Sequence, residues 1–467
     1  MITRTLGQIA AMCAGELTAA EAENITITGV VTDSRKITTN CLFVPLCGDK
    51  FDGHDYAAAS LDAGAAGTLW QRDKGPAPQG GVIIVEDTLE ALQELSAAYL
   101  NEIAPKVVAV TGSNGKTTTK DIIMALLEVQ YKVHKTEGNF NNHIGLPLTV
   151  LSMAEETEIA VLEMGMSSRG EIALLASLAA PDVAVITNVG ESHLLQLGSR
   201  KEIARAKLEI AEGLKPGGLL IYNGDEPLLA EVMQESTFTA PEGIETLRFG
   251  LKQDNDDYPT GMMSHSGGMT FTSNLHKEHA FTLPLPGQHN VVNALAALAV
   301  ARHFGVTDQN VESGLSKLKL TGMRIELIRT SSGLTLLNDA YNASPTSMKA
   351  AIDVLQSMKC SGNKIAVLGD MLELGPEEIQ FHQEIGDYLD PAATDLVYTY
   401  GSLSVHIAKA AEERFGTERV VAFTDKTDLT AALINQCSSK DIVLFKGSRG
   451  MRLEEVLQSL INHTKQT

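Results

Sequence analysis

The sequence predicts an α/β fold in three units, and three observations carry that expectation. At 467 residues the chain is long for a single hydrophobic core, since domains run near about 150 residues. From residue 104 to about 321, β-branched runs alternate with helical windows, the pattern of a parallel sheet flanked by helices. From 322 to 467 the alternation starts afresh. Residues 1–103 form a smaller, mixed unit that precedes both.

Bulk composition narrows the function. A hydrophobic content of 44% with 20% charged residues is ordinary for a soluble globular protein. The 37 basic residues against 58 acidic ones leave a formal charge of -21, which argues against sequence-independent binding to nucleic acid. Any anionic ligand must therefore be held by local cations. Cys13, Cys41, Cys47, Cys360 and Cys437 are scattered without metal-ligand spacing, as expected for free thiols in a reducing cytoplasm. No stretch approaches the ~20 apolar residues of a membrane span.

In the first unit, "MITRTLGQIAAMCAGEL" places Leu6, Ile9, Ala10 and Cys13 at helical spacing and reads as a folded helix rather than a signal peptide. Short strands are expected at "ITGVV", "CLFVPL" and "GVIIVED", with a helix near "DYAAASLDAG". "NEIAPK" at 101–106 has the proline and polarity of a linker. In the second unit the strands are "VVAVTG", "EIAVLEMG", "VAVITNVG" and "GGLLIYNGDE". In the third they are "LTLLNDAYN", "KIAVLGDM", "DLVYTYG", "RVVAFTD" and "DIVLFKGS", none followed by GxGxxG, so a dinucleotide site is not supported.

The chemistry begins at "VVAVTGSNGKTTTKDIIMALL", a strand, a glycine turn and a helix whose buried face is Ile122, Ile123, Leu126 and Leu127. Gly112 and Gly115 let the backbone approach phosphate oxygens. The helix N-terminus aims amides at them, Lys116 supplies a point charge and Thr117 can hold Mg²⁺. The generic consensus wants a glycine where Val110 stands, and the usual aspartate partner at the end of an apolar strand is absent. Glu163, ending "IAVLEMGM", can replace it as an oxygen donor. His193 in "NVGESHL" lies just beyond another strand.

"KEIARAKLEIAEGL" at 201–214 reads as a helix with an apolar stripe of Ile203, Ile210, Ala211 and Leu214. Lys207 falls on that stripe, while Arg205, Glu209 and Glu212 point elsewhere. "GQHNVVNALAALA" is a helix with a close-packing alanine face and Asn290 as a possible cap.

Taken together, "TGSNGKTT", Glu163, "NVGESHL" and the helix of Lys207 resemble the central ATPase domain of the Mur ligase family, and the resemblance extends over nearly the whole chain. It implies a three-domain α/β architecture: a small N-terminal domain for a uridine diphosphate sugar, a central phosphate-loop sheet and a Rossmann-like C-terminal domain. It further implies ATP held by Gly112, Ser113, Asn114, Gly115, Lys116, Thr117 and Thr118, with Asn290, Asn293, Arg324, Asp339 and Tyr341 nearby. Arg324 matches a cation near the γ-phosphate and Asp339 a carboxylate near the ribose or metal. Two Mg²⁺ ions are implied, with Thr117, Glu163, His193 and Lys207 as ligands. Lys207 would serve as a carbamate, whose formation needs a neutral amine and so a pKa lowered from ~10.4 by burial and nearby cations. Lys116, Lys207, His193 and Arg324 form the implied catalytic set.

"TEGNFNNHIGLPLTVL", "NDAYNASPTSM", "LGDMLELG" followed by His382, and "LFKGSRGMRLEEVL" resemble the family branch that adds D-alanyl-D-alanine to UDP-N-acetylmuramoyl-tripeptide. The sister branch that adds a diaminopimelate or lysine would carry "DYAHTPD" where this chain has "DAYNASP". Substrate contacts implied by the branch are Ser34 and Arg35 for the pyrophosphate, with Asn139, Asn142, His143 and Lys446. A monomeric cytoplasmic enzyme is expected. Other amide ligases of the family, and a phosphate-loop regulatory NTPase, are the competing readings.

Overall fold

The computed structural model describes residues 1–48, 50–265 and 267–465. A six-stranded, all-parallel sheet lies at the centre, in the order Val133–Lys135, Ile159–Glu163, Lys106–Thr111, Val183–Ile186, Leu219–Asn223 and Glu245–Phe249. Its four inner strands are buried on both faces, as their β-branched runs require. The short strand at 133–135, the edge strand at 245–249 and a three-stranded antiparallel sheet (Pro259–His265, Gly268–Ser273, Phe281–Leu283) had no clear apolar run to announce them.

One face of this sheet packs on the helices Lys116–Leu127 and Gln288–His303. The latter is apolar all round, with Val291 and Ala294 through Ala301 buried, so it is a core helix rather than one with an alanine face. The other face shares its core with the first unit. Leu6, Ile9, Leu42 and Leu69 join Val107, Ala109 and Leu162 through the helix Thr88–Ile103. That helix corrects the expected linker: Asn101, Glu102 and Ile103 are its last turn, and only Ala104, left-handed at φ 51, and Pro105 connect to the central strand. Proline stops the helix one turn later than the polarity of "NEIAPK" suggests.

The third unit has its own six-stranded sheet, ordered Glu326–Arg329, Thr335–Asp339, Ile442–Lys446, Lys364–Gly369, Leu396–Tyr400 and Val420–Phe423. Only its first strand is antiparallel. Apolar clusters cover both faces.

The Lys207 helix runs Arg200–Leu208, capped by Ser199, and continues as a single 3₁₀ turn, Glu209–Ala211. Ile203, Lys207, Ile210 and Ala211 share the buried side as the spacing predicts, and Leu208 joins them. Glu209 departs from the expectation that it points away: it is buried at 4% exposure. Its carboxylate accepts from the N–H groups of Gly170 and Ala173 and from Arg169 Nε at 2.7 Å, so it caps the helix Glu171–Ala179 from a neighbouring element. Glycine at 170 supplies no side-chain cap of its own, and an anion is favoured at a helix N-terminus. Glu209→Ala should lower the unfolding free energy by about 2 kcal/mol in a urea titration, because amides and a guanidinium lose a charged acceptor. An unchanged midpoint would contradict this capping role.

Candidate active site

The central strand Lys106–Thr111 lies between strands reached by connections running in opposite directions, with Ile159–Glu163 on one side and Val183–Ile186 on the other. Such a switch point opens a crevice at the carboxyl ends of the strands. The glycine turn, Glu163 and the loop after Ile186 all leave from that edge. The third unit's sheet meets the crevice with the carboxyl ends of its strands Thr335–Asp339 and Ile442–Lys446, and a cavity of about 1070 Å³ lies between.

The glycine turn is pressed from both sides. Gly112 has φ +149, and a Cβ there would come 1.8 Å from Thr187 Oγ1. Gly115 caps the following helix at φ +81, and its Cβ would lie 2.5 Å from Asn293 Oδ1. Only glycine fits either place. The turn is tied down by the neighbouring loop: Thr187 Oγ1 donates to Asn114 O, Asn188 Oδ1 accepts from Asn114 N, and Gly190 N donates to Ser113 Oγ. Lys116 Nζ donates to Gly112 O at 2.6 Å. Its pKa is lowered, chiefly by desolvation and further by Arg324, with Glu163 opposing.

Glu163 is 2% exposed. Its Oε1 accepts from Asn141 Nδ2 at 2.8 Å, while its Oε2 has no hydrogen-bond partner among the described residues. Lys207 is likewise 2% exposed and lines the cavity, and its amine makes no hydrogen bond or ion pair among the described residues. Burial, and then Lys116, push its pKa well below that of an ordinary lysine. His193, at φ 65, caps the short helix Leu194–Leu197, and its pKa is lowered by burial against the opposing pull of Glu373. One orphaned carboxylate oxygen and one imidazole suit a divalent ion. The unmodified Lys207 does not, because an ammonium has no lone pair and even a neutral amine brings no charge. The carbamate form would add the missing anionic oxygens.

The third unit contributes Arg324, Asp339, Tyr341 and Lys446 to the same cavity. Arg324 stacks 3.9 Å over the Tyr341 ring, and its Nε has no partner among the described residues. Asp339 and Lys446 are direct neighbours across paired strands, with Oδ2 2.6 Å from Nζ, and Ile325 N donates to Asp339 Oδ1. His289 on the cavity wall is pushed down to about 4 by desolvation, so it is neutral near pH 7.

Of the residues singled out in the sequence, Gly112, Ser113, Asn114, Gly115, Lys116, Thr118, Asn139, Asn142, Glu163, His193, Lys207, Asn290, Asn293, Arg324, Asp339, Tyr341 and Lys446 line this one cavity. Thr117 does not line it; it is 3% exposed in the first turn of its helix. His143 presents its carbonyl to Gln93 Nε2 and stands outside the cavity lining. Ser34 and Arg35 sit on a 3₁₀ turn of the first unit, also outside it, where Arg35 pairs with Asp33 and is 87% exposed. Asn290 is not a helix cap, a place taken by Gly287; its Nδ2 donates to Pro286 O, and Asn293 donates to its Oδ1.

Two residues escaped sequence reasoning. Lys120 is wholly buried, with Nζ donating to Thr136 O at 2.7 Å and lying 3.8 Å from Glu163 Oε2, so it is a counter-charge behind the carboxylate. Its place one turn after Lys116 in "GKTTTK" was the available signal. Asn141, which holds Glu163, differed in no visible way from its neighbours Asn139 and Asn142.

Residues 110–301 match the Mur ligase middle domain, 323–449 the Mur ligase glutamate ligase domain, and 26–100 the Mur ligase family catalytic domain. No residue of that last span lines the cavity. The chain is 52% identical over 462 residues to the UDP-N-acetylmuramoyl-tripeptide--D-alanyl-D-alanine ligase of Bacillus subtilis, covering 99% of each. It is 37% identical to the enzyme of the same name from Escherichia coli, covering 98% of this chain and 99% of that one. Among solved structures, a MurF from Acinetobacter baumannii superposes with a TM-score of 0.87 at 30% identity, over 99% of each chain. A MurF ligase from Thermotoga maritima in complex with ADP gives 0.80 at 31% identity, over 94% of this chain and 98% of that one. With the phosphate loop, the buried amine and the apposed third sheet in one cavity, these matches establish that the chain belongs to the Mur ligase family.

Proposed function

We infer that the protein is an ATP-dependent amide ligase that joins D-alanyl-D-alanine to UDP-N-acetylmuramoyl-tripeptide, releasing ADP and phosphate, in the cytoplasmic synthesis of a peptidoglycan precursor. The family membership and the full-length likeness to enzymes of that name support the substrates. The observation that carries the chemistry is Lys207: a buried, unpaired amine facing the same cavity as the phosphate loop.

A carboxylate is a poor electrophile, so the tripeptide's terminal carboxylate first attacks the γ-phosphorus of ATP, the bond to the β-γ bridging oxygen breaks, and ADP leaves. The acyl phosphate is then attacked by the free amine of D-alanyl-D-alanine. The tetrahedral intermediate expels inorganic phosphate, and the amine gives up its proton. The amides of Gly112–Gly115 and Lys116 hold the phosphates, and Arg324 approaches them from the third unit. Asn290 and Asn293 brace the loop from the facing helix. Bound Mg²⁺ would neutralise the charge gathered between the γ-phosphate and the attacking carboxylate, held by Glu163, His193 and a carbamoylated Lys207. No side-chain nucleophile is needed. Contacts between units enclose the site and exclude water that would hydrolyse the intermediate: Ser344 Oγ donates to Asn114 Oδ1 and Thr346 Oγ1 to Glu191 Oε2.

Phosphate release should require ATP, the UDP-muramoyl tripeptide and D-alanyl-D-alanine together. A panel of UDP-muramoyl peptides against D-alanyl-D-alanine, D-alanine and glutamate reads the specificity, and hydrolysis without an acceptor would favour a regulatory NTPase. Lys207→Ala should reduce turnover at least about a thousandfold, roughly the effect of losing one charge-stabilising group, with partial rescue by short carboxylic acids. Full activity in the untreated variant would remove the carbamate. Gly115→Ala should weaken ADP binding by at least about tenfold in calorimetry, since about 1.4 kcal/mol of strain suffices; an unaltered affinity would mean that the tight fit against Asn293 is not needed.

A further inference from the structure

The "LGDMLELG" segment lines no part of the cavity, yet it is held as firmly as an active-site loop. Asp370, 4% exposed, accepts from the N–H groups of Ser402, Leu403 and Ser404. Wholly buried His382 accepts from Met371 N at 2.9 Å, and Ser448 Oγ accepts from Leu372 N at 2.9 Å. What this scaffold presents is Glu373, a non-glycine residue held in the left-handed region at φ 66. Such a conformation costs about 1 kcal/mol or more and persists only where the surroundings impose it.

Glu373 meets the central unit at two points. Its carbonyl accepts from Leu195 N at 3.1 Å, and its carboxylate Oε2 lies 3.0 Å from His193 Nδ1. Gly375, at φ +76, lets the segment lie against Leu195, whose Cα would be 3.5 Å from a Cβ there. The facing residue His193 is itself left-handed at φ 65. Two left-handed residues on different units are thus pinned against each other, one carrying an imidazole and the other a carboxylate behind it. Nδ1 is near the carboxylate but not yet aligned for a hydrogen bond. A turn of the ring brings the N–H onto Oε2 and leaves Nε2 as a bare lone pair.

We propose that Glu373 is a positioning residue that accepts the Nδ1–H of His193, so that closure of the third unit sets the tautomer whose Nε2 can ligate a divalent ion. A metal-binding histidine usually donates its other ring N–H to a carboxylate or carbonyl, and removing that partner weakens the metal about 10- to 100-fold. Because Glu373 and His193 belong to different units, the ligand-competent imidazole is available only when the units are together. The inference rests on the ligase reading for the metal but is tested apart from it.

The test uses full-length protein with ¹⁵N-labelled histidine, His193→Ala to assign the resonance, and titration of Mn²⁺ into the ADP complex followed by electron paramagnetic resonance. In the unmodified protein, His193 should be the Nδ1–H tautomer. In Glu373→Ala it should shift toward Nε2–H, with Mn²⁺ bound about tenfold more weakly. Glu373→Gln, which keeps an acceptor oxygen but no charge, should restore the tautomer and most of the affinity. An Nε2–H tautomer in the unmodified protein overturns the proposal even if the alanine variant does not fold. So does Mn²⁺ affinity unchanged in Glu373→Ala, or a glutamine variant as impaired as alanine. None of these results bears on whether phosphate release needs both substrates, which decides the ligase reading separately.

Discussion

A buried amine with no counter-ion is the constraint around which this site is arranged. Removing a charged group from water without a partner is so unfavourable that the group gives up its charge instead. Lys207 sits on the apolar stripe of its helix, where burial and then the charge of Lys116 disfavour its protonation. The carboxylate that a designer of mere stability would place opposite it is held elsewhere: Glu163 is engaged by Asn141 and backed by Lys120. Glu209, two residues after Lys207, caps another helix. A neutral amine keeps the lone pair that the proposed carbamate needs, at the cost of a polar group left unsatisfied in the fold.

The second constraint is topological. A parallel sheet delivers its chemistry at the carboxyl ends of its strands, and here two such sheets face each other across one cavity. Strand register then settles the details. Asp339 and Lys446 face each other because Thr335–Asp339 pairs with Ile442–Lys446 residue for residue. The glycine turn can lie close to Thr187 and Asn293 only because Gly112 and Gly115 carry no Cβ. Neither sheet holds the whole site, so the arrangement of the units is part of the catalytic geometry.

What the sequence made legible follows from this. The phosphate loop, Glu163 and His193 were visible because each lies at or shortly beyond the end of a strand, and strand ends are easily read from β-branched runs. Lys207 was visible because helical spacing fixes the side of the helix on which it lies. The same spacing failed for Glu209, since periodicity gives direction but not what a neighbouring element offers there, in this case the bare amides of Gly170 and Ala173. It failed for Asn290 because a glycine two residues before "HN" already makes the turn into the helix. Lys120 shows in the sequence only as a lysine one turn after Lys116, which does not tell that its amine meets Thr136 O, and Glu373 was missed because its partner His193 belongs to another unit, a meeting that no local pattern encodes.

Charge accounting carries the argument one step further. The cavity wall holds five cationic residues, Lys116, Lys207, Arg324, Lys349 and Lys446, and five acidic ones, Glu163, Glu171, Asp225, Asp339 and Asp353. Lys207 has its cationic form suppressed, and Lys446 is committed to Asp339. What is left cannot neutralise a triphosphate together with an attacking carboxylate inside a protein of formal charge -21. Desolvated like charges repel strongly, so such a cavity could not gather its substrates on side chains alone. Divalent ions would supply the difference, and the orphaned oxygen of Glu163 would be a donor for one of them. On this reasoning the acidity of the cavity wall is not a defect in an anion-binding site: under the proposed chemistry, metal and nucleotide would each make the other's binding electrostatically tolerable.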